Sequence, residues 1–124
     1  MAEHNDFGKM AEEKAKAYFL AQNYQILAQN YRYLKAEVDL IVRKNQLISI
    51  VEVRARHENF VLSPLESISK NKIRLLIMAA NHFVENFTES VEISFDVMSV
   101  ILAQNDWQLE HIPNAFDAMD ANGI

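Results

Sequence analysis

Three charged side chains, those of Asp39, Glu52 and Arg54, occupy positions where plain β-structure would prefer Val or Thr. They lie in the stretch AEVDLIVRKNQLISIVEVRAR, residues 36–56, which has the composition of two β-strands joined by a short polar turn. Strand side chains alternate between the two faces of a sheet, so a hairpin here can bring Asp39 and Glu52 together on one face. Adjacent carboxylates repel each other, and each has a raised pKa unless a positive charge lies between them. The pair therefore predicts a cation site.

Mg²⁺ or Mn²⁺ is the cation that such a pair would bind. Mg²⁺ takes oxygen ligands, keeps several waters and typically uses one or two carboxylates, which makes Asp39 and Glu52 the expected metal ligands. A metal held in this way can activate water and polarise a phosphoryl oxygen for phosphodiester hydrolysis. Arg54 follows Glu52 by two residues on the same side of the strand, where it could stabilise the charge that develops. Glu12, on the first predicted helix, would add a third carboxylate if that helix packs over the hairpin.

An ordinary solvent-exposed hairpin face is the alternative interpretation of these residues. Such faces routinely carry Asp, Glu and Arg, and cross-strand pairs of opposite charge stabilise them modestly. On this view Arg54 and Arg56 are surface cations. The segment YRYLK, residues 31–35, is open to two interpretations in the same way. Its interleaved aromatic and basic residues are typical of nucleic-acid surfaces, and plain strand alternation explains them equally well.

The rest of the chain predicts the elements that must position these residues. Apolar side chains at three- and four-residue spacing indicate a helix over residues 6–22 with Asp6 as its N-cap. The segment Ser63-Pro64-Leu65-Glu66 has the pattern of a capping box, and a second helix is expected from there to about Phe87. The predicted strands cover residues 24–34, 37–43, 46–56, 91–102 and, as a short edge strand, about 107–112.

This order, α-β-β-β-α-β with a further edge strand, predicts an α/β fold with a central mixed β-sheet flanked by helices. The length of 124 residues favours a single domain over residues 1–124, with a frayed tail from about residue 117. Within the hairpin, the turn is expected at residues 44–45. The side chains of Val38, Leu40 and Val42 are expected to share one face of their strand.

Composition limits where the chain can act. It has no cysteine, which removes disulfides and thiolate metal ligands and fits a reducing cytoplasm. No apolar run is long enough to span a bilayer, and we expect no contact with a membrane. Residues 1–74 carry all twelve Lys and Arg with nine Asp and Glu, a formal charge of +3, whereas residues 75–124 carry only the other eight acids, a charge of −8. Such a split is compatible with one surface that has its own electrostatic role, and ordinary solvated surface charge is the alternative.

Motifs along nearly the whole chain resemble one family of small bacterial proteins. The segments GKMAEEKAKAYFL, AEVDLI, VEVRAR, SKNKIRLL, SFDVMSV and HIPNAF occur in the order seen in the YraN-like family. The E-x-D-L-I strand followed by V-E-V-R-x-R resembles the core of the PD-(D/E)XK nuclease superfamily. The resemblance implies a restriction-endonuclease-like fold and metal-dependent cleavage of a nucleic acid, with branched or damaged DNA as the expected partner. A homodimer is compatible with it, because many nuclease folds must address two strands.

The resemblance also implies roles for individual residues. By position, Glu12 matches the helix acid, Asp39 the motif aspartate and Glu52 the motif glutamate. Arg54 occupies the slot that holds lysine in the motif, and because arginine stays protonated it can stabilise charge but cannot act as a base. The expected phosphate contacts are Lys9, Lys35, Arg43, Arg56, Lys70, Lys72 and Arg74. A catalytically inactive nucleic-acid-binding or protein-interaction module that retains the nuclease fold is the alternative.

Overall fold

A five-stranded mixed sheet with helices on both faces forms the fold. The computed structural model describes residues 2–58 and 63–122. Its elements are α1 (Ala2–Ala21), β1 (Gln25–Tyr33), β2 (Ala36–Lys44), β3 (Leu47–His57), α2 (Lys70–Val84), β4 (Glu92–Ala103), β5 (Asp106–Ile112) and α3 (Ala118–Asn122). The strands lie side by side in chain order. The predicted element order and the mixed sheet flanked by helices are confirmed, and this topology is consistent with a restriction-endonuclease-like fold.

The central strand β3 carries Glu52 and Arg54. It pairs with β2 in the antiparallel sense and with β4 in the parallel sense. Parallel neighbours cannot be joined by a tight turn, so the chain between β3 and β4 crosses over one face of the sheet, and α2 is the helix of that crossover. The crossover brings the first turn of α2 next to the charged residues of β3.

Two apolar clusters hold the helices against the two faces of the sheet. On one face, Ala11 and Ala15 of α1 are fully buried, and their small side chains allow the helix axis to approach the strands closely. That close approach brings Glu12, the neighbour of Ala11, to the sheet. On the other face, α2 contributes the buried side chains Ile73, Leu76, Ala79 and Ala80. Among the described residues, no helix is long and apolar enough to cross a membrane.

The helix starts differ from those predicted. Helix α1 begins at Ala2, so Asp6 lies inside the helix and is not its N-cap. The predicted capping box forms, because Ser63 Oγ accepts from the Glu66 N–H at 3.1 Å and Glu66 Oε1 accepts from the Ser63 N–H at 3.0 Å. It closes only one turn, however. Helix α2 begins at Lys70 with Ser69 as its N-cap, and ends at Val84 instead of Phe87.

The hairpin between β2 and β3 also differs from the prediction. Lys44 pairs with Leu47, so the turn consists of residues 45–46 instead of 44–45. Asn45 has a φ of 57°, a left-handed conformation that asparagine tolerates well. The predicted common face of β2 is wrong, because Val38 packs in the α2-side cluster whereas Leu40 and Val42 pack in the α1-side cluster. The strand therefore changes its facing around Asp39.

The C-terminal segment includes a short helix next to the α2-side cluster. Residues 118–122 form α3, and Ala121 is buried in that cluster together with Phe116. The Phe116 ring stacks on Phe95 of β4, with ring centroids 5.6 Å apart. The single domain and the frayed tail from about residue 117 stay predictions.

Candidate active site

Asp39 lies where β2 and β3 stop pairing. The last paired residues are Leu40 and Val51, so Asp39 and Glu52 come next in the same register. In place of a backbone carbonyl, the Oδ2 atom of Asp39 accepts a hydrogen bond from the Val53 N–H at 2.8 Å. The side chain of Asp39 thus crosses to β3 and contacts the residue that follows Glu52.

Glu52 is the most enclosed acid of the site. The residue is 5 % exposed, and its Oε2 atom forms an ion pair with the Arg54 guanidinium at 2.9 Å. Its Oε1 atom is buried without a hydrogen-bond partner within the described residues, and the Lys72 ammonium of α2 lies 3.8 Å from it. An ionised carboxylate oxygen in such a place needs a positive partner, because an unpaired buried charge is costly.

Burial raises the cost of ionising both carboxylates. Burial raises the pKa of Glu52 to about 7, and the negative charge of Asp39 adds to that rise. Burial also raises the pKa of Asp39, against the hydrogen bond from Val53 and the positive charge of Lys72, which lower it. At neutral pH the pair therefore holds less negative charge than two exposed acids would, and a bound cation would restore the fully ionised form.

Glu12 reaches the edge of this pair from α1. It lines a cavity of about 30 Å³ together with Glu13, Gln29, Asn30, Asp39 and Leu40. Partial burial raises the pKa of Glu12, and the charges of Asp39, Glu37 and Glu13 contribute further. Within residues 2–58 and 63–122, however, no three His, Cys, Asp or Glu side chains are grouped so that they could hold one metal ion. Glu12 therefore adjoins the acid pair without completing a three-carboxylate cluster.

The donor set fits Mg²⁺ or Mn²⁺. The acid pair offers carboxylate oxygens only, which are the hard ligands these ions prefer, and Mg²⁺ typically uses one or two protein carboxylates. The buried Oε1 atom of Glu52 has no hydrogen-bond partner within the described residues, so it could serve as a ligand. Asp39 and Glu52 are the residues that would hold the ion.

The predicted basic residues are dispersed around the fold. Lys72 is directed at Glu52, whereas its helix neighbours Lys70 and Arg74 are exposed, and two residues along a helix turn a side chain to nearly the opposite side. Arg74 instead lines a shallow groove between α2 and α3. Arg43 lies at the far end of β2, where it donates to Glu89 at 3.0 Å.

The other three predicted phosphate contacts lie within four residues of a candidate acid in sequence. Lys9 is exposed on α1, three residues before Glu12, and Lys35 is exposed in the turn between β1 and β2. Arg56 follows Arg54 by two residues on β3 and so faces the same side of the strand. Their role in binding phosphate stays a prediction.

Two polar clusters carry residues for which the sequence predicted no role. Asp96 of β4 is 1 % exposed and accepts from Nε2 of His111 at 2.7 Å and from the Asn114 N–H at 3.2 Å. The ring of Tyr33 stacks on His82 of α2 at 3.8 Å between centroids. The contact with His82 shows that the Tyr33 ring of the segment 31–35 packs on α2. For the cluster around Asp96, the signal available in the sequence was a charged residue inside the apolar run of β4.

Comparison with known proteins places these residues in one family. A family model described as "Uncharacterised protein family UPF0102" matches residues 11–100. A "UPF0102 protein" of Christiangramia forsetii is 39 % identical over 116 residues, covering 94 % of this chain and 98 % of its own. Similar proteins from Parabacteroides distasonis and Flavobacterium psychrophilum are 34 % and 36 % identical, again covering 98 % of their own lengths and 95 % and 94 % of this chain.

Proposed function

The chain belongs to the UPF0102 family, and from the geometry of its acid pair we propose that it is a metal-dependent nuclease that hydrolyses phosphodiester bonds in DNA. Because the family is uncharacterised, the proposal depends on the site. One observation carries it: a buried oxygen of Glu52 without a hydrogen-bond partner lies beside a second carboxylate of raised pKa. Branched or damaged DNA is the substrate that the resemblance to PD-(D/E)XK nucleases favours.

The chemistry divides between the metal and the protein. A divalent ion supplies Lewis-acid polarisation of a phosphoryl oxygen and activation of water. The water oxygen forms a bond to phosphorus and gives up a proton to solvent, while the ester P–O bond breaks and the departing oxygen takes up a proton from solvent. Asp39 and Glu52 would hold the ion, and the Val53 hydrogen bond fixes the side chain of Asp39. Glu12, beside the small cavity next to Asp39, is placed to orient the attacking water.

Cations at the site would stabilise the charge that develops on the phosphoryl oxygens. Arg54 and Lys72 both lie within 4 Å of Glu52 and are each about one-third exposed, so neither is sealed from a substrate. Fixed positive groups in a partly water-excluded site act more strongly than in bulk water. In the proposed reaction Asp39 and Glu52 are the metal ligands, Glu12 is the acid beside the small cavity, and Arg54 and Lys72 are the nearby cations.

The test is nicking of supercoiled plasmid and of a four-way DNA junction with Mg²⁺ or Mn²⁺. Asp39→Asn keeps an oxygen acceptor for the Val53 N–H and removes the charge, so it should fold and lose cleavage at least about 100-fold. Glu110→Gln, an exposed acid on β5, is the matched control and should cleave like the wild type. Absence of metal-dependent nicking by the wild-type protein on either substrate contradicts the proposal.

A non-catalytic nucleic-acid-binding module is the second candidate, and one observation favours it. Arg54 and Lys72 already place two positive charges beside the two carboxylates, which balances the site without a metal. On this alternative, DNA binds without added metal, Asp39→Asn binds DNA as tightly as the wild type, and no cleavage occurs. Filter binding across a salt series separates the two, because phosphate contacts lose affinity steeply as salt rises.

A further inference from the structure

We propose that Lys72 of α2, and not Arg54 of β3, contacts the phosphodiester group at the acid pair, and that Arg54 is a positioning residue that holds Glu52. The inference rests on the proposed function and assigns separate tasks to its two cations. The sequence motif places Arg54 in the lysine slot, next to Glu52. The structure brings Lys72 to the same Glu52 carboxylate from the crossover helix α2, and Lys72 follows Glu52 by twenty residues in the chain.

The guanidinium of Arg54 is already held by a contact within the protein. It lies 2.9 Å from Oε2 of Glu52, a charge-assisted contact of ordinary hydrogen-bond length. Its Nε atom is buried without a partner, so the base of the planar group is enclosed by protein and cannot swing freely toward a ligand. Arg54 therefore acts through Glu52, by fixing one oxygen of that carboxylate and leaving the other free.

Lys72 is held less tightly than Arg54, although the two side chains are about equally exposed. Its Nζ atom lies 3.8 Å from Oε1 of Glu52, beyond hydrogen-bond length. An ammonium on a flexible stem carries three donors, and none of the hydrogen bonds found within the described residues uses them. Only the backbone N–H of Lys72 is engaged, by the N-cap Ser69 at 3.1 Å. The ammonium can therefore donate to a phosphoryl oxygen after a small movement, because it has no hydrogen bond to the protein to break first.

Lys72 approaches Glu52 from the first turn of α2, with its Nζ atom 3.8 Å from Oε1 of that carboxylate. The first turn of α2 adds the positive end of the helix dipole to the same place.

The first arm of the test measures cleavage and metal affinity in four variants. Lys72→Ala should lower Mg²⁺-dependent nicking at least 100-fold with Mg²⁺ affinity changed less than about threefold, as expected for removal of one charge-stabilising donor. Arg54→Gln should weaken Mg²⁺ binding, because it releases Glu52, and Arg54→Lys should preserve both properties. Lys14→Ala, an exposed lysine of α1, is the matched control and should be unchanged.

A fifth variant, the double substitution Arg54→Lys/Lys72→Ala, tests whether a lysine on the strand can replace Lys72. It returns an ammonium to Glu52 from the strand, so it should regain at least about tenfold of the cleavage lost in Lys72→Ala alone. Nicking by Lys72→Ala at the wild-type rate, or loss of nicking in Arg54→Lys with metal affinity intact, overturns the assignment and leaves the nuclease proposal standing.

The second arm does not depend on turnover. The side-chain ¹⁵Nζ signal of Lys72, assigned through Lys72→Arg, is followed by NMR in Asp39→Asn while a short DNA oligonucleotide is added. The Lys72 signal should shift or become protected more than that of Lys14. If the wild-type protein cleaves nothing but this shift occurs, the nuclease proposal fails and the phosphate contact of Lys72 holds. If the signal of Lys72 does not move, the inference is overturned whatever the nicking result.

Discussion

The carboxylate of Asp39 accepts a hydrogen bond from the backbone N–H of Val53, at 2.8 Å, across the end of the β2–β3 ladder. Val53 is the residue between Glu52 and Arg54. One hydrogen bond therefore ties the first acid to the backbone that carries the second acid and its cation. The spacing of the acid pair is set by this contact and by the register of the hairpin, and not by loops.

The same hydrogen bond makes a prediction about stability. Asp39→Ala leaves the Val53 N–H without an acceptor, whereas Asp39→Asn retains one. Because an unsatisfied buried donor costs about 1–3 kcal/mol, the alanine variant should be less stable than the asparagine variant by that amount. Urea unfolding at pH 8 followed by circular dichroism measures the difference. Equal free energies of unfolding for the two variants would show that the hydrogen bond contributes nothing to the fold.

A second prediction concerns pH. The pKa of Glu52 is raised to about 7 from an ordinary 4.5, chiefly by burial. The native protein therefore binds this proton more tightly than the unfolded chain does, so the stabilisation is fully present below about pH 4.5 and is lost as the pH rises through about 7. When the pH is raised from 5 to 8, the ionisation of Glu52 should therefore lower the free energy of unfolding by about 2 kcal/mol.

Glu52→Gln isolates that contribution, because glutamine does not titrate. Its free energy of unfolding should fall less than that of the wild type between the two pH values, when both are measured by urea unfolding without divalent metal. Glu110→Gln, at an exposed position, should keep the wild-type pH dependence. An identical slope for Glu52→Gln and the wild type would mean that Glu52 ionises normally in the native state.

The element order of the fold could be predicted from the sequence because each element has its own periodicity, but the details of the hairpin could not. In β2 and β3 both faces are buried, as Leu40 and Ile41 and also Ile50 and Val51 show. Where both faces are apolar, alternation specifies neither the facing of a strand nor its register. The predicted turn is therefore one residue earlier than the observed turn, and alternation does not reveal the change of facing around Asp39.

The candidate site was predictable in part for a related reason. Glu52 and Arg54 are neighbours along one strand, and Asp39 reaches them through a single hairpin, so their proximity follows from local structure. Lys72 reaches Glu52 only through the crossover of α2, and nothing in residue spacing fixes where a crossover helix docks. His111 and Asp96, in contrast, meet across the hairpin of β4 and β5, so their proximity also follows from local pairing.

A third prediction follows from the burial of Asp96. Its carboxylate accepts from His111, from Ser94 Oγ and from the Asn114 backbone, so Asp96→Ala leaves several buried donors unpaired. Loss of one member of a buried, hydrogen-bonded charge network typically costs about 3–5 kcal/mol. Urea unfolding should show a loss of that size. Asp106→Ala, an exposed acid at the start of β5, should change stability by about 0.5 kcal/mol or less, and a comparable loss in both variants would contradict a special role for Asp96.

The start of α2 provides a fourth prediction, because two serines compete for the role of its cap. Ser69 Oγ accepts from the Lys72 N–H and caps the fifteen-residue helix, whereas Ser63 caps only a single turn. Ser69→Ala should therefore cost about 1 kcal/mol of unfolding free energy, and Ser63→Ala clearly less. Since Ser69 fixes the turn that carries Lys72, Ser69→Ala should also weaken binding of a short DNA oligonucleotide more than Ser63→Ala does. A larger stability loss in Ser63→Ala would instead place the start of the helix at residue 63.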